Sequence, residues 1–257
     1  MLYQKMLPAA FLFITFNCSA QVQKIDTDRP DQTESPFTIP KKYVQFELGL
    51  NMERINAGET EFLLPTILSK YGLTKRIELR LITTVKRFPV IRSSFSKQYE
   101  AGLEPVELGA KIALAEEKKW LPKTSLIFHF AMPPGASNNL RPDRIAPNFR
   151  FTMQNTISEK MGIAYNIGAE WDGYSNRPAW IYTLSPGFNL GEKWYAYAEV
   201  FGSFAKEMSP QHNIDGGLAY YVSTDLKIDI SSGFGISANA PSRYLAVGAS
   251  VRFNTRH

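Results

Sequence analysis

The chain has one cysteine and three histidines in 257 residues. That excludes a disulfide scaffold and argues against a structural transition-metal site built on paired thiolates or imidazoles. No apolar run reaches the length of a membrane-spanning helix. The mean hydropathy of −0.22 excludes a helical membrane protein. It leaves a β-barrel open, because only alternate residues of a barrel strand meet lipid. Charge of one sign is also missing. The 29 basic and 24 acidic residues are scattered and leave a net charge of +5, a poor footprint for nucleic acid. Gly216-Gly217 and Gly233-Phe234-Gly235 lie within strand-like sequence rather than ahead of a helix. They bend a curved sheet and do not cradle phosphate.

What is present begins with an export signal. Lys5 precedes an apolar stretch over 6–16, and Cys18-Ser19-Ala20 supplies small residues before a cleavage site. This predicts a signal peptide over 1–20, cleaved after Ala20. Acylation of Cys18 is the competing reading, but Thr15 and Asn17 stand where a lipoprotein signal wants a branched apolar and a small residue. Residues 21–42 are polar and turn-rich, which predicts an irregular periplasmic or lumenal segment. It either tucks into the periplasmic mouth, with Asp28, Arg29 and Glu34 meeting lumenal partners, or stays a flexible leader.

From 43 onward the chain alternates with period two. Val44, Phe46, Leu48, Leu50 and Met52 interleave with Gln45, Glu47, Gly49, Asn51 and Glu53. The same pattern recurs through an all-β domain over 43–257. Twelve strands are expected, over 43–54, 61–71, 77–88, 104–115, 123–133, 147–156, 161–172, 179–190, 193–204, 212–222, 225–237 and 243–253. The phase of the second is ambiguous at Phe62-Leu63-Leu64, and that of the ninth at Trp194-Tyr195-Ala196-Tyr197. Connections at one end are short, such as 191–192 and 223–224. Several at the other are longer, at 89–103, 134–146 and 205–211. That asymmetry, with an even strand count, predicts an antiparallel up-and-down transmembrane barrel with both termini in the periplasm. Trp120 and Trp194 fall at one rim, Trp171 and Trp180 at the other, where indole prefers the headgroup layer. The last strand places Val247, Ala249, Val251 and Phe253 on one face. Its ending at Phe253 resembles the C-terminal signal read by the barrel-assembly machinery, with Ala246 departing from the usual polar residue.

The phase opposite lipid carries the charge. Its acids are Glu47, Glu53, Glu78, Glu107, Glu170, Glu199, Asp215 and Asp229. Its bases are Arg80, Lys86, Lys111, Arg150, Lys227 and Arg252. So balanced a set reads either as a selective polar pathway or, the preferred reading for most of them, as salt-bridged filling, since unpaired buried charge is costly. His129, in Phe128-His129-Phe130, shares the inward phase and is expected to be a lumenal hydrogen-bonder. His212 is expected in an outer loop and His257 in the tail. No nucleophile–base pair stands out, so neither an enzyme nor a cofactor or metal site is expected.

Further stretches carry a resemblance. They are Thr27-Asp28-Arg29-Pro30-Asp31-Gln32-Thr33-Glu34-Ser35-Pro36, then KYGLTKRIELRL (70–81), LGAKIAL (108–114), NIGAEWDG (166–173), DGGLAY (215–220) and KIDISSGFG (227–235). Together they resemble the family labelled "putative MetA-pathway of phenol degradation". The resemblance implies an outer-membrane barrel of transporter type and names no catalytic residue. Two functions follow as expectations. One is a channel for a small, hydrophobic or aromatic molecule. The other is a closed structural or interaction barrel, because twelve strands lie between filled and open barrels. Outer-membrane lipids are the expected surroundings, and nucleic acid is not a partner.

Overall fold

The computed structural model describes residues 24–56, 59–93, 96–206 and 208–255. The signal peptide, Cys18 and His257 lie outside them. Thirteen strands follow in chain order: β1 (Tyr43–Arg54), β2 (Thr60–Gly72), β3 (Ile77–Ser93), β4 (Ser96–Leu103), β5 (Val106–Ala115), β6 (Lys123–Met132), β7 (Ala146–Ser158), β8 (Met161–Glu170), β9 (Ala179–Leu190), β10 (Trp194–Ala205), β11 (Gln211–Tyr221), β12 (Leu226–Gly235) and β13 (Arg243–Asn254). Each pairs antiparallel with its neighbours. The sheet closes where β1 pairs with β13, from Tyr43↔Asn254 to Arg54↔Arg243, and β2 pairs with β3. Closure pairs the wall all the way round, as a lipid environment requires of a sheet, and beyond Arg87 the β3–β4 hairpin pairs only with itself.

Thirteen segments occupy twelve positions around the barrel. β3 pairs with β5 over 77–82 and with β4 over 85–93. β4 and β5 are therefore two parts of one wall position, interrupted at Glu104-Pro105. This corrects the expected outer loop over 89–103. Alternation breaks down there, yet backbone pairing carries β3 to 17 residues and returns through β4. The expected strand over 104–115 begins at Val106. His212 is corrected too: it is the second residue of β11, and its Nδ1 lies 2.9 Å from the Tyr182 hydroxyl.

Burial is inverted relative to a soluble protein. Leu48, Leu79, Ile167, Leu218, Ile230 and Phe253 stand exposed on the outer wall. Gln45, Glu47, Glu78, Lys111, Thr152 and Asn166 are fully buried inside. The pleat sends successive side chains to opposite faces, so the sequence alternation becomes an apolar exterior and a polar interior. Tyr43↔Asn254 pairing puts both ends of the barrel chain at one mouth, called here the terminal mouth. The other is the distal mouth. Trp194 and Trp180 lie exposed at opposite rims, as expected.

Candidate functional site

Residues 24–42 do not remain outside the barrel. The Ile25 N–H donates to the Thr224 carbonyl at the terminal mouth (2.7 Å), and the Lys42 N–H donates to Gly72 at the same mouth (2.8 Å). Between these points the chain runs up into the lumen and back. No apolar alternation could place it in the sheet, and Pro30, Pro36 and Pro40 lack the N–H a strand ladder needs. Local polar bonds hold the loop instead. The Ser35 N–H donates to Asp28 Oδ1 (3.0 Å), tying its two limbs together, and the Thr27 hydroxyl donates to the Arg29 carbonyl (2.6 Å).

One wall holds this plug by charge. Asp28 meets Arg80 at 2.9 Å, Lys111 at 2.8 Å, and Lys70. Glu47 accepts from the Asp28 N–H (3.0 Å) and the Arg29 N–H (3.2 Å), and pairs with Lys70 at 2.5 Å. Arg80 also reaches Glu34 (2.6 Å), Glu78 (3.1 Å) and His129 Nε2 (3.0 Å). Glu78 in turn accepts from the Ile39 N–H (2.9 Å), and Lys111 donates to the Ser35 carbonyl (2.8 Å). Burial opposes the charge on Asp28, but Lys111, Lys70 and Arg80 overcome it and hold its carboxyl well below the ordinary range. Burial likewise opposes the Glu34 charge, and Arg80 draws that carboxyl below its ordinary value.

The facing wall, β8 to β12, holds the plug mostly by acceptors and hydroxyls. Glu199 accepts from the Gln32 N–H (2.8 Å) and from the Thr33 hydroxyl, which also meets Thr183 (2.6 Å). Asn166 both accepts from the Glu34 N–H (2.8 Å) and donates to the Glu34 carbonyl (3.0 Å). The Ser185 hydroxyl donates to Asp31 (3.1 Å), and Tyr197 donates to the Pro30 carbonyl (3.3 Å). Burial pushes the Asp31 carboxyl up to about 7, although Lys227 pulls the other way. Lys227 itself donates to the Thr27 hydroxyl (2.5 Å) and the Arg29 carbonyl (3.0 Å).

Arg29 lies over the closing seam. It pairs with Asp229 at 2.8 Å. Gly49 of β1 and Gly248 of β13 face each other in register beneath it, and a Cβ on either would come within 2.3 Å of its guanidinium. Only glycine leaves room for that side chain to lie flat on the wall.

The plug separates the lumen into compartments. A cavity of about 610 Å³ opens at the terminal mouth, lined by Tyr195, Tyr221 and Lys227 among others. Beyond the plug lie one of about 400 Å³, beside Asn51, Ser231 and Tyr244, and one of about 280 Å³, beside Glu107, Arg150 and Glu170. Arg29 and Asp31 border the first two together.

The candidate residues thus fall into groups. Glu47, Glu78, Arg80, Lys111 and His129 join the charged wall. Glu199, Lys227 and Asp229 hold the plug from the other side, and Asp215 sits behind them, bonded to Tyr244. Arg150 pairs with Glu170 at 2.7 Å and reaches the Gln32 carbonyl, with Glu107 nearby in the distal cavity. Arg252 stands apart at the terminal mouth with Asp225, at 2.7 Å. Lys70 was missing from the sequence reading. A bulge between Leu63 and Thr66 shifts the register of β2, so Glu61 and Leu63 share the inner face with Thr66, Leu68 and Lys70. Pro65, which cannot donate to a ladder, was the available signal.

Fold and site together define a plugged β-barrel of the outer-membrane channel and porin type. The chain belongs to the family described as "Putative MetA-pathway of phenol degradation", whose model matches residues 27–253. The match starts within the plug, so plug and barrel are covered as one unit. Among solved structures, the fold is similar to the COG4313 outer membrane channel from Pseudomonas putida F1. The TM-score is 0.67 at 11% identity, covering 84% of this chain and 97% of that one. It is also similar to the KdgM porin, with a TM-score of 0.54 at 11% identity, covering 81% and 99%. No curated protein sequence matches the chain.

Proposed function

We propose that the protein is exported, cleaved after Ala20 and inserted in the outer membrane by the barrel-assembly machinery, where it is a channel for a small hydrophobic or aromatic molecule, gated by residues 24–42. The observation that carries this reading is the pair of cavities on opposite faces of one non-covalently held plug, bordered in common by Arg29 and Asp31. A barrel needing only to be filled would gain nothing from keeping water-sized space on both sides. The family description supports an aromatic cargo. The test is flux into liposomes and conductance in planar bilayers, comparing the whole mature chain with one lacking residues 21–36. Larger steady pores on deletion are expected. Cysteines at Ser137 and Ser158 check orientation: the first labels on whole cells with an impermeant reagent and the second does not.

A closed interaction barrel is the second reading, favoured by the density of buried ion pairs around Asp28. It prevails if the intact, folded barrel passes neither ions nor aromatic solutes.

A further inference from the structure

An arginine on the lipid-facing phase of a barrel strand is costly at mid-membrane and tolerated only near the headgroups. Arg87 of β3 is such a residue. It shares its phase with Val85, exposed on the outer wall, and alternates with Lys86, which turns inward to Glu61 at 2.7 Å. It stands at the distal border of the apolar band. In the sheet it pairs with Phe62, Phe62 with Met52, and Met52 with Leu245, the last two exposed and apolar. Two residues farther toward the distal mouth, Arg54 and Arg243 pair directly, and like charges so placed repel. The Arg87 side chain is exposed, and its guanidinium carbon lies 4.7 Å from the centroid of the Tyr99 ring and 5.8 Å from that of Phe62. The two rings are themselves 6.1 Å apart. Among the described residues, this guanidinium has no ion pair and donates no hydrogen bond.

We infer that Arg87, Phe62 and Tyr99 form a docking site on the outer wall for the phosphate of a phosphorylated lipid in the outer leaflet. The inference rests on the orientation proposed above, with the distal mouth outward, and goes beyond it in naming a lipid site. Contact with the two rings engages the face of the guanidinium. Its edge, a rigid fork of N–H donors, is left for an acceptor, and a phosphate matches that fork with two parallel hydrogen bonds. Arg54 and Arg243 add positive charge at the same rim, which a neighbouring anion relieves. The lipid source follows from the surroundings. A lipid phosphate reaches this height with its acyl chains already against Val85 and Met52, whereas a free phosphate ion gains no such contact.

The test is a native mass spectrometry titration of the mature barrel in detergent with three probes: a bisphosphorylated lipid A, the same lipid dephosphorylated, and inorganic phosphate. The phosphorylated lipid is expected to bind roughly tenfold more tightly than the dephosphorylated one, the effect of one charge-assisted contact, and a large excess of inorganic phosphate is expected not to displace it. Arg87→Gln, folded as judged by heat-modifiable gel migration, should weaken lipid A by about the same factor. Arg87→Lys, which keeps the charge and loses the fork, should recover only part of that loss. Lys206→Gln, at the distal rim on the far side of the barrel, should lose nothing. If Arg87→Gln does not fold, Tyr99→Leu is the second variant, with a loss of roughly threefold from the missing ring contact. Equal binding of the dephosphorylated lipid overturns the inference, as does displacement by inorganic phosphate. So does lipid A binding indifferent to the Arg87 and Tyr99 changes, full recovery in Arg87→Lys, or an equal loss in Lys206→Gln. Because the titration involves no transport, flux without lipid A binding sinks this site alone, and lipid A binding without flux sinks the channel alone. Reversed labelling of the Ser137 and Ser158 cysteines sinks the orientation itself.

Discussion

The plug touches two walls of unlike chemistry. Toward β2, β3 and β5 it offers two carboxylates, Asp28 to Lys70, Arg80 and Lys111, and Glu34 to Arg80. Toward β8, β9 and β10 it offers backbone N–H groups and the Thr33 hydroxyl to Asn166, Thr183 and Glu199. The first wall is a set of charges that are stable only together, since removing one partner strands the rest. The second is a row of separable hydrogen bonds, each worth about 1 kcal/mol net. The plug is thus held by coupled charges on one side and, apart from the Arg29–Asp229 pair, by separate hydrogen bonds on the other.

The largest expected effect comes from breaking the anchor. Asp28→Asn leaves Lys70, Arg80 and Lys111 around a neutral amide, at a cost of roughly 3–5 kcal/mol. Denaturant unfolding in detergent should shift by that amount, with conductance rising toward the plug-deleted level. Unchanged stability would show that the charged wall does not hold the plug. Thr33→Val on the other wall should cost only about 1–2 kcal/mol by the same measurement.

pH should separate the walls by sign. The Asp31 carboxyl is raised from 3.8 to about 7, so the docked plug binds its proton more tightly than the free segment does. Its contribution is complete below about pH 4 and is lost as pH rises through about 7. Asp28 is shifted the other way, so its contribution holds above about pH 4 and is lost only as pH falls well below that. Conductance should therefore be lower at pH 5 than at pH 8, and Asp31→Asn should flatten that difference. A profile that ignores Asp31→Asn would remove it from the latch.

A finer probe lies at the seam. Gly49→Ala or Gly248→Ala puts a methyl where the Arg29 guanidinium lies and should push it away from Asp229. Because the guanidinium ends a flexible side chain and can swing aside, a loss of at most about 1 kcal/mol is expected, that of the weakened ion pair. The smallest effect is expected from Glu107→Gln, on the distal side and in no ion pair with the plug. It should change ion selectivity slightly and leave plug docking intact.

The sequence made the barrel legible because strand alternation is a local signal: Gln45, Glu47 and Gly49 face inward wherever β1 sits in the sheet. The same logic placed Glu78, Arg80, Lys111 and His129 inside. It failed at Lys70, where the bulge at Leu64-Pro65 changes the phase without changing the composition. It failed again at 89–103, where apolar periodicity lapses but hydrogen bonding between β3 and β4 continues. The plug was half legible. Its polar, turn-rich composition fits both a free leader and a docked loop, and Asp28, Arg29 and Glu34 were candidates for docking without named partners.

By itself, the sequence determined which side chains meet lipid and which meet the interior, because the pleat has a period of two and needs no distant partner to express it. It also determined that residues 24–42 could not join the wall. Tertiary structure alone decided what those residues do. Bringing Lys70, Arg80 and Lys111 around Asp28, and Gly49 opposite Gly248 beneath Arg29, requires strands far apart in the chain to meet in one closed cylinder. That geometry arises from strand pairing around the full barrel, which no local pattern records.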